Sequence, residues 1–157
     1  MRLMGIAVKL ETEGRPTARA IVIEPGTPNP LIVDSFALTG DDVDFTRQLF
    51  ELSQATRSRS AALKPERVVI ARADFPPTGS RKEGPKLRLL AEGAIAAAAR
   101  EIVTETALAT GLEIGQWDGT SKDEVKAKAK VMLRAAGLPQ KWLEATMAAI
   151  GALAYSP

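Results

Sequence analysis

The chain opens with segments in which apolar residues recur at every second position. From Arg2 to Leu10 and from Thr17 to Glu24, Ile, Val and Leu alternate with small or polar residues, and Glu13-Gly14-Arg15-Pro16 lies between the two as a turn. A period of two is that of a strand, whose successive side chains point to opposite faces, so this stretch predicts a hairpin. The proline-rich link Pro25 to Pro30 supplies a second reversal, and Leu31 to Leu38 forms a third apolar run. Three strands in succession are expected.

The period then changes. Thr39-Gly40-Asp41-Asp42 begins a helix: acidic residues crowd its first turn, Phe45, Leu49 and Leu52 fall at helical spacing, and Arg57, Arg59 and Lys64 gather near its end, which suits the helix dipole. Pro65 stops that helix. Arg67-Val68-Val69-Ile70-Ala71 is a short continuous apolar run, as for a strand covered on both faces, and is read as the central strand of the sheet. Between Arg72 and Lys86 come tandem prolines, two glycines and a further proline, which predict a loop of a length that often carries function.

From Lys86 to about Leu108 the pattern is helical again, with Leu87, Leu90, Ala94 and Ala98 on one face. Gly93 and Ala97 place small residues one turn apart, a surface that lets another helix approach closely, within the fold or across a dimer interface. Leu112 to Trp117 is read as a fifth strand. Ser121-Lys122-Asp123-Glu124 then has the spacing of a capping box, opening a helix that buries Val125, Ala129, Met132 and Leu133 and ends at Gly137-Leu138-Pro139. A last helix from Gln140 to Ala154 carries an apolar stripe of Leu143, Met147, Ile150 and Ala154. Trp117 and Trp142 fall at element boundaries, where each is read as closing the core. The expectation is one α/β domain over residues 1–157, a five-stranded mixed sheet with three antiparallel strands first, flanked by about four helices.

Composition narrows the chemistry. A chain of 157 residues that is 45% hydrophobic can bury one substantial core. It holds neither cysteine nor histidine, which removes disulfides, thiolate nucleophiles and the commonest general base and metal ligand. Carboxylates, lysines, hydroxyls or an oxygen-held magnesium or manganese ion are left. No stretch nears the roughly 18 apolar residues that span a membrane, and the first residues lack a secretory h-region, so a cytoplasmic protein is expected. No phosphate-binding loop or dinucleotide fingerprint is present, so no nucleotide cofactor is expected.

The net charge of +2 is small, so any case for nucleic acid rests on clustering. Arg72, Arg81, Lys82, Lys86 and Arg88 gather in and after the long loop, and Lys122, Lys126, Lys128, Lys130 and Arg134 decorate the capped helix. Such groups bind phosphate backbones by ion pairing and counterion release. On an amphipathic helix they equally serve to keep the outer face solvated. Aromatic residues are 4% of the chain, which offers little for base stacking.

Several segments resemble RuvC-type Holliday-junction resolvases of the ribonuclease-H-like fold. Gly5-Ile6-Ala7 resembles the Gly-Ile-Asp of that family's first strand, and Pro65-Glu66-Arg67-Val68-Val69-Ile70-Ala71 resembles the strand that normally ends in glutamate. The stretch from Ser80 to Arg100 resembles the dimer helix, Thr120 to Val125 the opening of the next helix, and Glu144-Ala145-Thr146-Met147-Ala148 the Asp-Ala-Ala-Asp-Ala of the last. The resemblance implies a ribonuclease-H-like domain, a homodimer formed through the helix around Gly93 and Ala97, and nucleic acid approaching the cluster of Arg72, Arg81, Lys82, Lys86, Arg88 and Lys122.

It also implies a departure in chemistry. The family's reaction draws about four carboxylates onto two divalent cations, whereas the matching positions here are Ala7, Ala71, Glu144 and Met147. A methyl group cannot coordinate a cation. The expectation is therefore a non-catalytic domain, without metal or other cofactor, that binds DNA, RNA or a protein partner. One alternative is a magnesium- or manganese-dependent nuclease with displaced carboxylates drawn from Glu11, Asp34, Asp74 and Glu144. Another is a structural or regulatory homo-oligomer that makes no nucleic-acid contact.

Overall fold

β1 (Leu3–Leu10) and β2 (Pro16–Glu24) pair antiparallel in the expected hairpin, and β3 (Leu31–Thr39) pairs antiparallel with β2. This computed structural model describes residues 1–11, 14–40, 43–73 and 83–156. The chain continues with α1 (Phe45–Leu63), β4 (Arg67–Ala71), α2 (Glu83–Ile102), β5 (Glu105–Ala109), α3 (Gly111–Trp117), α4 (Lys122–Ala136), a 3-10 turn (Gln140–Trp142) and α5 (Leu143–Ala154). The strand order is β3-β2-β1-β4-β5, with β4 parallel to both of its neighbours.

Several expectations shift. β1 is the middle strand, while β4 lies between it and the edge. α1 starts at Phe45, capped by the Asp44 carboxylate, which accepts from the Thr46 and Arg47 amides, so Thr39 and Gly40 precede the helix. The largest correction concerns the fifth strand. Leu112 to Trp117 is helical, and the strand is Glu105–Ala109, a segment assigned from its apolar content to the preceding helix. The cause is local: Thr110 caps α3, its hydroxyl accepting from the Glu113 amide while the Glu113 carboxylate accepts from the Thr110 amide. Ser121 caps α4 as its spacing predicts, and Gly137 ends α4 at positive φ.

The two faces of the sheet hold two cores. Met4, Ile6, Val8, Ala20, Val22, Val68 and Ile70 point to the face covered by Leu52 of α1 and by Ala91, Ile95 and Ala99 of α2. Leu3, Ala7, Ile21, Ile23, Val69 and Ala109 point to the opposite face, covered by α3, α4 and α5. Each large aliphatic side chain so buried contributes about 1.5–3 kcal/mol. α5 is the innermost helix. Rather than one stripe, the whole run from Ala145 to Ala152 is buried. Arg67 closes its carboxyl end, donating to the carbonyls of Ala152, Leu153 and Tyr155. Trp117 and Trp142 both pack on this core, Trp117 with its ring 4.9 Å from that of Tyr155.

On α2 the buried residues are Ala91, Glu92, Ile95, Ala98 and Ala99; of the face expected from Leu87, Leu90, Ala94 and Ala98, Ala98 is buried, Leu87 and Ala94 are half-buried and Leu90 is exposed. Leu90, Gly93 and Ala97 are exposed, so the small-residue surface does not serve packing within the fold. A Cβ built on Gly93 meets nothing within 4 Å.

Candidate functional site

The parallel register sets Ala7 beside Ala71, and the antiparallel one sets Ala7 beside Arg19. Arg19, Ala7, Ala71 and Ala109 therefore form one row across the sheet, at the carboxyl ends of β1, β4 and β5. α5 passes this row in contact with the backbone of β1, and Gly5 permits the contact. A Cβ there would lie 2.1 Å from the Ala149 amide nitrogen and 2.3 Å from the Ala145 carbonyl oxygen. The approach carries Glu144 and Met147, on the first turns of α5, to the end of the row.

Two neighbouring cavities open at this end. One is lined by Ala71, Arg72, Ala73, Arg88, Gly111, Ile114, Lys122, Glu144 and Met147, the other by Ala7, Val8, Lys9, Arg19, Arg88, Gln140, Lys141, Leu143 and Glu144. Arg88 and Glu144 line both. The positions that the resemblance singled out, Ala7, Ala71, Glu144 and Met147, thus do converge. Of the expected nucleic-acid contacts, Arg72, Arg88 and Lys122 converge with them, whereas Lys86 is exposed on α2 and lines neither cavity. Arg81, Lys82 and Asp74 lie outside the described residues.

Arg88 is the hinge of the site. Its Nε donates to Glu92 at 2.9 Å and its Nη2 to Glu144 at 2.9 Å, so one guanidinium joins α2, packed on one face of the sheet, to α5 on the other. The Glu92 side chain is 1% exposed, against 58% for Glu144. Both Glu92 oxygens also accept from the Ala73 amide just past β4, at 3.1 and 3.3 Å. Burial pushes the Glu92 carboxyl up from its ordinary value, opposed by the bonds from Arg88 and Ala73, while the charge of Glu144 pushes the same way as burial.

Four further cations are placed by four elements. Lys9 and Arg19 share the Ala7 face of the sheet by strand alternation. Lys141 comes from the 3-10 turn. Lys122 stacks its stem on Gly111, where a Cβ would meet the lysine Cε at 2.8 Å. Acidic groups stand behind the lining: Arg72 pairs with Glu113 at 3.4 Å and Arg19 with Glu11 at 3.9 Å. Among the described residues, six cations and one acid line the cavities, which makes this lining basic.

The described residues do not fit a pair of divalent cations. Ala7 and Ala71 offer methyl groups, Met147 a soft thioether, and Glu144 is held by Arg88. Among the described residues, no three His, Cys, Asp or Glu side chains gather in a way that could hold a metal. Of the displaced set, Glu11 pairs with Arg19 beside the cavity that Glu144 lines, Asp34 lies on the edge strand β3, accepting from the Ser35 amide, and Asp74 lies outside the described residues. Sequence reasoning missed Glu92, Lys9, Arg19 and Lys141. Only Glu92 carried a signal, an acid four residues after Arg88 within an alanine-rich face.

The fold matches that of RuvC. Thermus thermophilus RuvC superposes with a TM-score of 0.67 at 15% identity, covering 99% of this chain and 95% of that one. T. thermophilus RuvC in complex with a Holliday junction substrate gives 0.71 at 16%, covering 99% and 94%. The yeast mitochondrial Holliday junction resolvase Ydc2 gives 0.53 at 9%, covering 96% and 78%. No protein-family model and no curated relative matches the chain. The five-stranded mixed sheet and its helices are thus the RuvC-type, ribonuclease-H-like arrangement expected from sequence. Among the described residues, no helix is long and apolar enough to cross a membrane.

Proposed function

We propose that this chain is a non-catalytic RuvC-like domain that binds nucleic acid through the basic cavities at the carboxyl ends of β1 and β4. The observation that carries the reading is the row Arg19, Ala7, Ala71: methyl groups stand where metal chemistry needs oxygen, and cations surround them. Likeness to a RuvC solved with a Holliday junction substrate supports a branched DNA ligand. Lys9, Lys122 and Lys141 form no ion pair among the described residues, so they are the groups best placed to exchange counterions for phosphates.

A labelled four-way junction and a duplex of the same sequence, titrated across a salt series, test this. Neutralising three phosphates contributes about −3 to the slope of log affinity on log salt, and replacing all three lysines by alanine makes the slope shallower by about that amount. Incubation with magnesium or manganese leaves the strands intact. No binding at low ionic strength sinks the reading and leaves a structural homo-oligomer. Cleavage that disappears in Asp74→Ala or Glu144→Ala overturns it in favour of a nuclease.

The same reading includes a homodimer through α2. Leu90, Gly93 and Ala97 form an exposed stripe, and an antiparallel pairing centred on Gly93 and Ala94 sets each Leu90 against the partner's Ala97, large against small. Sedimentation is expected to give twice the monomer mass for the native chain and the monomer mass for Ala97→Arg, with the thermal midpoint little changed. A native chain that sediments as a monomer at high concentration refutes the pairing.

A further inference from the structure

We infer that Arg88 is a resident cation of this site, standing where a RuvC-type resolvase would use divalent ions for cleavage, and that it receives a nucleic-acid phosphate directly. The inference rests on the nucleic-acid reading above and deepens it.

A metal ion in such a site is held by carboxylates on one side and turns its open positions to a phosphate oxygen. The Arg88 guanidinium is held in the same manner. Glu92, almost wholly buried, takes Nε from behind; Glu144, on α5, takes Nη2 from the side. Glu92 is itself fixed by the Ala73 amide at the end of β4, so the cation is tied to the strand that carries Ala71. A guanidinium has more N–H donors than these two bonds use. With its side chain 25% exposed, Arg88 lines both cavities. A planar fork clamped at two corners is preorganised for bidentate contact with a phosphate, which a lysine at the same place could not make.

The arrangement also accounts for the acids that survive in a site that binds an anion. Glu144, alone, would repel phosphate, and Glu92, alone, would be a buried charge. Arg88 answers both. Ala7 and Ala71 follow from the same logic, because aspartate or glutamate at either position would compete with phosphate for the guanidinium.

The test uses the full chain and a labelled four-way junction, titrated once with excess chelator and once with millimolar magnesium. Affinities that agree within about twofold, and that fall by about tenfold or more in Arg88→Gln, are the expected result. Because Arg88→Gln leaves Glu92 buried without its cation, the double variant Arg88→Gln/Glu92→Gln, checked for folding by its thermal transition, is measured beside it with the same loss expected. Binding that appears only with magnesium overturns the inference and leaves the nucleic-acid reading standing. So does a folded double variant that binds as tightly as the native chain. No binding in either buffer removes the nucleic-acid reading, and this inference with it.

Discussion

Gly5→Ala is expected to destabilise the fold by about 3 kcal/mol or more, at the top of the usual cost of overpacking, read as a drop in the urea midpoint and a large share of the roughly 5–15 kcal/mol typical of a domain. The added methyl would stand 2.1 Å from the Ala149 nitrogen, 2.3 Å from the Ala145 oxygen and 2.7 Å from the Ala148 carbonyl carbon. All three are backbone atoms of α5. No rotamer change relieves such contacts, so the helix must move off the central strand, and with it the residues from Ala145 to Ala152 that fill this core. Companion truncations on α5, such as Met147→Ala, should not restore stability, because they remove side chains and not the obstructing backbone. A Gly5→Ala chain with a native midpoint would show that α5 does not lie against β1 at this distance.

Glu92→Ala is expected to cost about 2–3 kcal/mol. Breaking a fully buried ion pair costs about 3–5 kcal/mol, and the figure is reduced here because Arg88 retains some solvent and a second partner in Glu144. The Ala73 amide loses its acceptor in the same variant. Glu92→Gln keeps the shape and an acceptor oxygen, so it should cost less, and its comparison with the native chain carries a pH signature. Burial holds the Glu92 carboxyl above its ordinary value of 4.5 despite Arg88. In the window above that value the folded state holds more proton than the unfolded one. The contribution of Glu92 to stability is therefore fully present below the ordinary carboxylate range and is lost as pH rises through the raised folded value. Urea midpoints of native chain and Glu92→Gln, taken from pH 4 upward, should show the native advantage shrinking. An advantage that grows with pH would mean that the pull of Arg88 outweighs burial.

Both experiments act on contacts between elements distant in sequence, and there the reach of the sequence ends. The period of two in the first three strands, the apolar run Arg67–Ala71, the capping spacing at Ser121 and the stop at Gly137 are local signals, and the structure reproduces each. The same capping spacing stands at Thr110 and Glu113, and reading it there would have turned Leu112 to Trp117 into the helix it is. β5 gave less to read. It is a five-residue parallel strand at the sheet edge, without strict alternation, and β4 rather than its own composition makes it a strand.

The resemblance placed Ala7, Ala71, Glu144 and Met147 together, and the register of the parallel strands agrees. What the chain alone determined is which chemistry was on offer: no cysteine, no histidine, methyl groups at two key positions, cations nearby. What only the tertiary structure decided is how those charges combine. Arg88 lies 56 residues from Glu144, and their bond exists because α2 and α5, on opposite faces, begin at the same end of one sheet. Local patterns fix the direction of a side chain relative to its own element. The pairing of buried charges depends on which elements are neighbours, and that is set by the packing of the whole core.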